Sequence, residues 1–172
     1  MIRSARREDI DAIMRVVSDA QLALAELGID QWQDGYPSQD VILNDICEGN
    51  GYVAVDDSDS PIAYAAILFA EEPAYRQIAD EQWNTPNSYV VVHRLCVSRT
   101  ARRQGLALKM MHYATDLATQ RSIYGFRIDT HEGNIRMLSM LRKLGFQPTG
   151  TIYYPSGKRI AFDLKLSLAN RD

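Results

Sequence analysis

Three sets of residues in this 172-residue chain have the types and spacing to do chemistry. The first is Leu95-Cys96-Val97-Ser98-Arg99-Thr100-Ala101-Arg102-Arg103-Gln104-Gly105-Leu106-Ala107. It reads as the end of an apolar strand, then a basic turn, then a helix opening on Gly105 and Ala107. Small residues there let the backbone come close to a ligand. The first turn of a helix offers unpaired N–H groups and the positive end of the dipole, which suits a phosphate. Arg99, Arg102 and Arg103 add positive charge at the same place. The chain contains neither G-x-x-x-x-G-K-[ST] nor G-x-G-x-x-G, so the pattern that stands is R-x-x-G-x-A at Arg102, Gly105 and Ala107.

The second set is Asn134 to Phe146. Met137, Leu138, Leu141 and Leu144 recur at helical spacing, with Asn134 as an N-cap and Gly145 just past the end. The third is His93, ahead of the basic turn. Strand alternation puts it on the same face as Leu95 and Val97. Histidine titrates near about 6.5, which suits base work at neutral pH, while a hydrogen-bonded core histidine is the simpler account of the same residue.

Taken in this order, the Arg102-x-x-Gly105-x-Ala107 loop and the Asn134 helix closing on Leu144-Gly145-Phe146 resemble the GNAT superfamily of N-acetyltransferases. The resemblance extends over almost the whole chain. It implies that Leu95, Cys96 and Val97 pair through their backbone with the pantetheine arm of acetyl-CoA. It implies that Arg102, Arg103, Gln104, Gly105, Leu106 and Ala107 cradle the pyrophosphate through their amides. Asn134 would then bond the cofactor near the arm, alone or together with its capping role. Some members place a catalytic histidine at the spacing of His93. Many carry a tyrosine, the acid to the leaving thiolate, where this chain has Leu141. Tyr153 or Tyr154 could substitute, or the thiolate could leave without an acid.

Transfer of an acyl group from a thioester to an amine needs a neutral amine, and an alkylamine titrates at about 10.4. A base and an oxyanion donor are therefore required. The resemblance implies direct attack with no acyl-enzyme, which leaves Cys96 to pack in its strand. Trp32 and Tyr36, between the first two helices, stand where the family shapes its acceptor pocket. Glu71 and Glu72, with Asp34 and Trp83, could share that rim. An acidic and aromatic rim would favour a cationic amine. Packing anchors and solvated acids explain the same residues. His131 and Glu132 read as loop or capping residues.

These groups need elements to hold them. Ile2 to Arg6 reads as a strand, Glu8 to Leu27 as an amphipathic helix, and Ser38 caps a short helix through Ile46. Gly51–Val55 and Ile62–Phe69 read as a hairpin turning at Asp56 to Pro61. Glu71 to Asn87 is a long connection, and such loops often carry function or a short helix. Tyr89–Val97 is a buried β-branched strand. A helix from Leu106 to Ala118, a strand from Tyr124 to Thr130, the Asn134 helix, and a hairpin of Phe146–Tyr154 with Arg159–Leu166 complete the chain. The order β-α-α-β-β-β-α-β-α-β-β defines a mixed α/β fold with one central sheet flanked by helices. It matches the order in GNAT enzymes. The resemblance places the ligand where the strand ending at Val97 splays from the strand at Phe126–Thr130.

Length and composition fit one domain, residues 1–172, with 46% hydrophobic residues for its core. A net charge of −3 gives no reason to expect nucleic-acid binding. No run is long enough to cross a membrane, and the opening residues have no apolar leader. Cys47 and Cys96 suit reduced thiols and a cytoplasmic location. His93, His112 and His131 have no metal-ligand spacing, so no metal is expected. The expectation is a GNAT-type N-acetyltransferase using acetyl-CoA as co-substrate. Its acceptor is a small-molecule or peptide amine, the former slightly favoured, and a homodimer is the assembly to look for. The alternative is a CoA-binding sensor or interaction domain without catalysis, to which Leu141 lends support.

Overall fold

The structure is a computed structural model that describes residues 1–79 and 82–167. Asp80 and Glu81, within the expected 71–87 connection, lie outside the described residues. The elements are β1 (Ile2–Ser4), α1 (Ile10–Glu26), α2 (Gln39–Cys47), β2 (Gly51–Val55), β3 (Pro61–Leu68), β4 (Tyr89–Val97), α3 (Leu106–Gln120), β5 (Gly125–Thr130), α4 (Ile135–Lys143), β6 (Gln147–Tyr154) and β7 (Gly157–Lys165). They follow the order read from the sequence. Seven strands form one sheet in the order β1-β2-β3-β4-β5-β7-β6. β4 and β5 are parallel, and β1–β2, β2–β3, β5–β7 and β6–β7 are antiparallel.

The chain gathers into two units. The first comprises Met1–Leu68 and Val92–Tyr113. Its core joins Ile13, Val16 and Val17 of α1, Ile42 of α2, Val53 and Val55 of β2, Tyr64 of β3 and Cys96 of β4. α1 starts later than the sequence predicts, because a 3-10 turn at Arg7–Asp9 precedes it. The Asp9 carboxylate accepts from the Arg6 amide at 2.8 Å and pairs with the Arg3 guanidinium at 2.7 Å, which fixes that turn. The β2–β3 hairpin is closed by Asp56 Oδ1, which accepts from the amides of Ser58 and Ser60. Such local carboxylate bonds compete successfully with an extended backbone.

The second unit comprises Phe69–Val91 and Ala114–Asp172. Tyr75, Tyr89, Val91, Ile152 and Ala161 form a core that Ala74, Ile78, Trp83 and Tyr154 pack against. The long 71–87 connection carries a 3-10 turn at Pro73–Gln77, capped by the Glu72 side chain. It is pinned at two places. Ala79 bridges to Thr151 across Gly150, where an added Cβ would lie 2.5 Å from the Ala79 carbonyl oxygen. Asn84 and Thr85 donate their amides to Asp163 Oδ2 at 2.6 and 3.0 Å. The terminal hairpin turns on Pro155 and Ser156 alone, since Tyr154 pairs with Gly157, so the turn is tighter than the four residues expected.

Candidate functional site

In the first unit, β4 ends in a loop bound to α1 through Asp19. The Asp19 carboxylate accepts from the Arg99 amide at 2.7 Å and from the Ser98 hydroxyl at 3.2 Å. Its carbonyl accepts from the Arg102 guanidinium at 2.7 Å. Arg102 therefore spends one of its donors on holding the loop. Beyond it the backbone enters the left-handed region at Arg103, φ 64°, and again at Gly105, φ 73°. A Cβ built on Gly105 would meet no atom within 4 Å. The loop thus presents backbone to open space immediately before α3, whose first turn is closed by the Lys109 amide on the Gly105 carbonyl. A phosphate can approach such a surface, and the helix start supplies the amides and the field to hold it. The chain's own residues fit an acyl-CoA pyrophosphate on this ground.

His93, Leu95, Cys96 and Val97 lie on β4 as expected. His93, Leu95 and Val97 are half-buried, and Cys96 is buried in the core. Burial pushes the Cys96 thiol up to about 12, so little nucleophilic thiolate forms at neutral pH. Between His93 and Leu95 the strand continues but kinks, because Arg94 has φ 56°. A non-glycine residue held there is strained by about 1–3 kcal/mol unless its surroundings fix it. They do: Arg94 donates Nε and an Nη to the two oxygens of buried Asp45 at 2.8 and 2.6 Å, and its other Nη to the Tyr36 hydroxyl at 2.7 Å. The Tyr64 hydroxyl donates to the same carboxylate at 2.7 Å. Trp32 packs on the core and meets Tyr36 edge to face, with ring centroids 6.4 Å apart. The sequence reading missed Asp19, Asp45 and Arg94. An arginine in a β-branched strand was the available signal, since buried charges require partners.

In the second unit, Asn134 caps α4: its Oδ1 accepts from the Met137 amide at 3.2 Å. Its side-chain NH2 makes no hydrogen bond among the described residues and can serve a ligand. The loop before it is closed by His131 Nδ1, which accepts from the Gly133 amide at 2.9 Å. Leu141 is fully buried within α4. Tyr153 is 66% exposed, and Tyr154 donates its hydroxyl to Asp129 Oδ2 at 2.9 Å. Tyr75 donates to the same oxygen at 2.7 Å. Burial and then the Asp129 carboxylate raise both phenols, so they hold their protons more tightly than an ordinary tyrosine.

Glu71 and Glu72 already have structural partners. Glu71 pairs with Arg76 at 2.8 Å, and that guanidinium holds its carboxyl below the usual range. Glu72 accepts from the Ala74 amide and donates its own amide to the Tyr89 hydroxyl. Trp83 is a packing anchor: its Nε1 donates to the Tyr75 carbonyl at 2.9 Å, and Arg127 lies between its ring and that of Tyr89. Tyr75 and Asp129 were not singled out from the sequence. Among the described residues no group of His, Cys, Asp and Glu could hold a metal ion, and no helix is long and apolar enough to cross a membrane.

Parallel β4 and β5, an αL loop after β4 and a helix opening on that loop fit the class of acyl-CoA-dependent N-acyltransferases. The chain belongs to the acetyltransferase (GNAT) family, whose model matches residues 21–146. A GNAT-family acetyltransferase structure from Streptococcus agalactiae 2603 is 35% identical, with a TM-score of 0.86 over 97% of this chain and 95% of that one. The NatC complex bound to Gag peptide and CoA shares the fold, at 17% identity and a TM-score of 0.70 over 97% of this chain and 98% of that one. Streptothricin acetyltransferase from Escherichia coli is 27% identical over 95 residues, 55% of this chain and 53% of that protein. The chain thus spans about half the length of that curated relative.

Proposed function

We propose that residues 1–172 act as one domain that moves acetyl from acetyl-CoA to a primary amine, with a small-molecule amine favoured over a peptide. The observation that carries this reading is the cradle at Arg103–Gly105, an αL backbone open to ligand at the start of α3. The amine nitrogen attacks the thioester carbonyl carbon, the C–S bond breaks, and CoA leaves as a thiolate. The amine proton passes to a base, for which His93 is the candidate, directly or through water. Tyr154 already directs its proton to Asp129, and Tyr153 is largely in solvent. A thiol of pKa about 8.5, by analogy with cysteine, can leave unaided. The reduced-thiol character of the chain fits a cytoplasmic setting.

The experiment is release of CoA thiol from acetyl-CoA, screened against amine pools. Amine-dependent release supports catalysis, and tight CoA binding without it supports a sensor or interaction domain. Gly105→Asn isolates the cradle. Asparagine tolerates the left-handed backbone but places a side chain in the open space. The expected result is at least tenfold weaker CoA binding by calorimetry, with unchanged melting. Unaltered affinity would place CoA elsewhere. With an acceptor in hand, His93→Ala should lower kcat about 10²-fold and leave CoA affinity in place.

A further inference from the structure

We propose that Arg94, fixed by Asp45 and Tyr36, is a positioning residue for acetyl transfer. It holds β4 in the kinked form that aligns His93 and the backbone of residues 95–97 with the thioester. This deepens the function proposed above and rests on it. All of these groups belong to the first unit. The kink is a non-glycine residue at φ 56° inside a nine-residue strand. Burial changes there. Residues 89–92 are buried one after another, and His93, Arg94 and Leu95 are all half-buried. Alternation begins only beyond them, with Cys96 in the core and Val97 half-buried. The backbone turn at Arg94 therefore sets how the residues on either side of it are presented.

Stability alone accounts poorly for this arrangement. A left-handed arginine in a strand is strained, and a buried ion pair often gains less than the desolvation of its charges costs. A well-packed apolar pair would fill the same space without either penalty. Three ties nevertheless enforce the conformation. The two Asp45 oxygens take Nε and one Nη of Arg94, and the two side chains are only 6% and 12% exposed. The other Nη donates to the Tyr36 hydroxyl. Tyr36 is itself fixed, since its carbonyl accepts from Gln21 Nε2 of α1 at 3.0 Å and its ring meets Trp32. This over-determined outlier lies directly between the candidate base and the segment that the family resemblance pairs with the pantetheine arm. Strain held at such a point serves alignment.

The test follows backbone amide resonances of the isotope-labelled full chain during titration with acetyl-CoA, so no acceptor is needed. In the wild type, the amides of Leu95 and Val97 and those of residues 103–106 should shift. Asp45→Asn with Arg94→Ala removes the ties without leaving a buried charge unpaired. Asp45→Asn with Arg94→Gly does the same but lets the backbone reach the left-handed region freely. The alanine pair should lose the Leu95 and Val97 shifts and keep those of the loop, and the glycine pair should regain part of them. Tyr36→Phe breaks one tie and uncovers no charge. It should weaken the same shifts without lowering the melting temperature, and it stands even if the paired variants fail to fold. With an acceptor from the amine screen, the alanine pair should lose about 10²-fold in kcat at unchanged CoA affinity, as expected for a misplaced reacting group. Undiminished Leu95 and Val97 shifts in the alanine pair or in Tyr36→Phe, or equal responses from the alanine and glycine pairs, would each overturn the positioning role. Wild-type loop and strand amides that ignore acetyl-CoA overturn the acetyltransferase reading instead, and the wild-type titration reports this before any variant is made.

Discussion

Asp45 in the first unit and Asp129 in the second begin from the same chemistry and end differently. Each carboxylate lies within reach of tyrosine hydroxyls, from Tyr64 in one case and from Tyr75 and Tyr154 in the other. Asp45 is then closed by the Arg94 guanidinium on both oxygens, and the same arginine reaches Tyr36. Its donors and acceptors are spent inside the fold. Asp129 receives neutral donors on one oxygen and, among the described residues, no cation. The contrast separates a carboxylate closed by a built-in cation from one held by phenols alone. A buried carboxylate with its cation built in holds backbone, here the left-handed Arg94 between His93 and Leu95. Asp129 is half-buried, so solvent can serve the oxygen that the phenols leave open.

The largest effect expected from this contrast is on stability. Arg94→Met keeps a non-glycine residue at the kink but leaves Asp45 buried without its cation. Removing one partner of a buried pair costs about 3–5 kcal/mol, and urea unfolding should show it. Adding Asp45→Asn should recover more than half of that loss. Asp129→Asn, by contrast, removes no internal ion pair and should cost less than about 1.5 kcal/mol. Equal losses at the two carboxylates would erase the distinction.

Alkaline titration sharpens the same comparison. The phenols of Tyr64, Tyr75 and Tyr154 are all raised, by burial first and then by Asp45 or Asp129. Each keeps its proton in the fold above the ordinary tyrosine pKa of about 10. A raised folded pKa means that the stabilisation is complete below about pH 10 and is lost as the pH climbs and the unfolded chain releases protons. Phenolate absorbance of the native protein should therefore fall short of the unfolded protein's by at least three of the nine tyrosines. Complete ionisation near pH 10 without unfolding would show that the two clusters are wet.

Neither carboxylate network was disclosed by the sequence, although much around them was. The element order, the R-x-x-G-x-A loop and the Asn134 cap were legible because each follows from local rules: hydrophobic period, small residues at a helix start, and a capping side chain. The latch and the clamp join residues far apart in the chain, Asp45 with Arg94 and Asp129 with Tyr75 and Tyr154. Spacing carries no record of such pairs. Arg94 in an apolar strand announced that a partner existed without saying which. Glu71, Glu72 and Trp83 looked like a rim because exposed acids and aromatics read alike from sequence. Their bonds to Arg76, Ala74 and the Tyr75 carbonyl are tertiary facts. Leu141 is a further case. The resemblance marks its position as that of an acid, but its burial makes it core.

The smallest effects come from the two adjacent tyrosines of the terminal hairpin. They are neighbours in sequence but point into different surroundings, as strand alternation requires. Tyr154→Phe removes a donor to a carboxylate and should cost about 1.5 kcal/mol. Tyr153→Phe alters a hydroxyl on a side chain that is 66% exposed and should stay within about 0.5 kcal/mol of wild type. Turnover separates clamp from acid. If Tyr154 only orients Asp129, kcat stays close to wild type for the single and double variants. Protonation of the leaving thiolate by either phenol would instead lower kcat more than tenfold in the corresponding variant. A Tyr154→Phe protein with that kcat loss and unchanged melting would turn the clamp into the missing acid, and the likeness between Asp45 and Asp129 would then be one of hydrogen bonding alone.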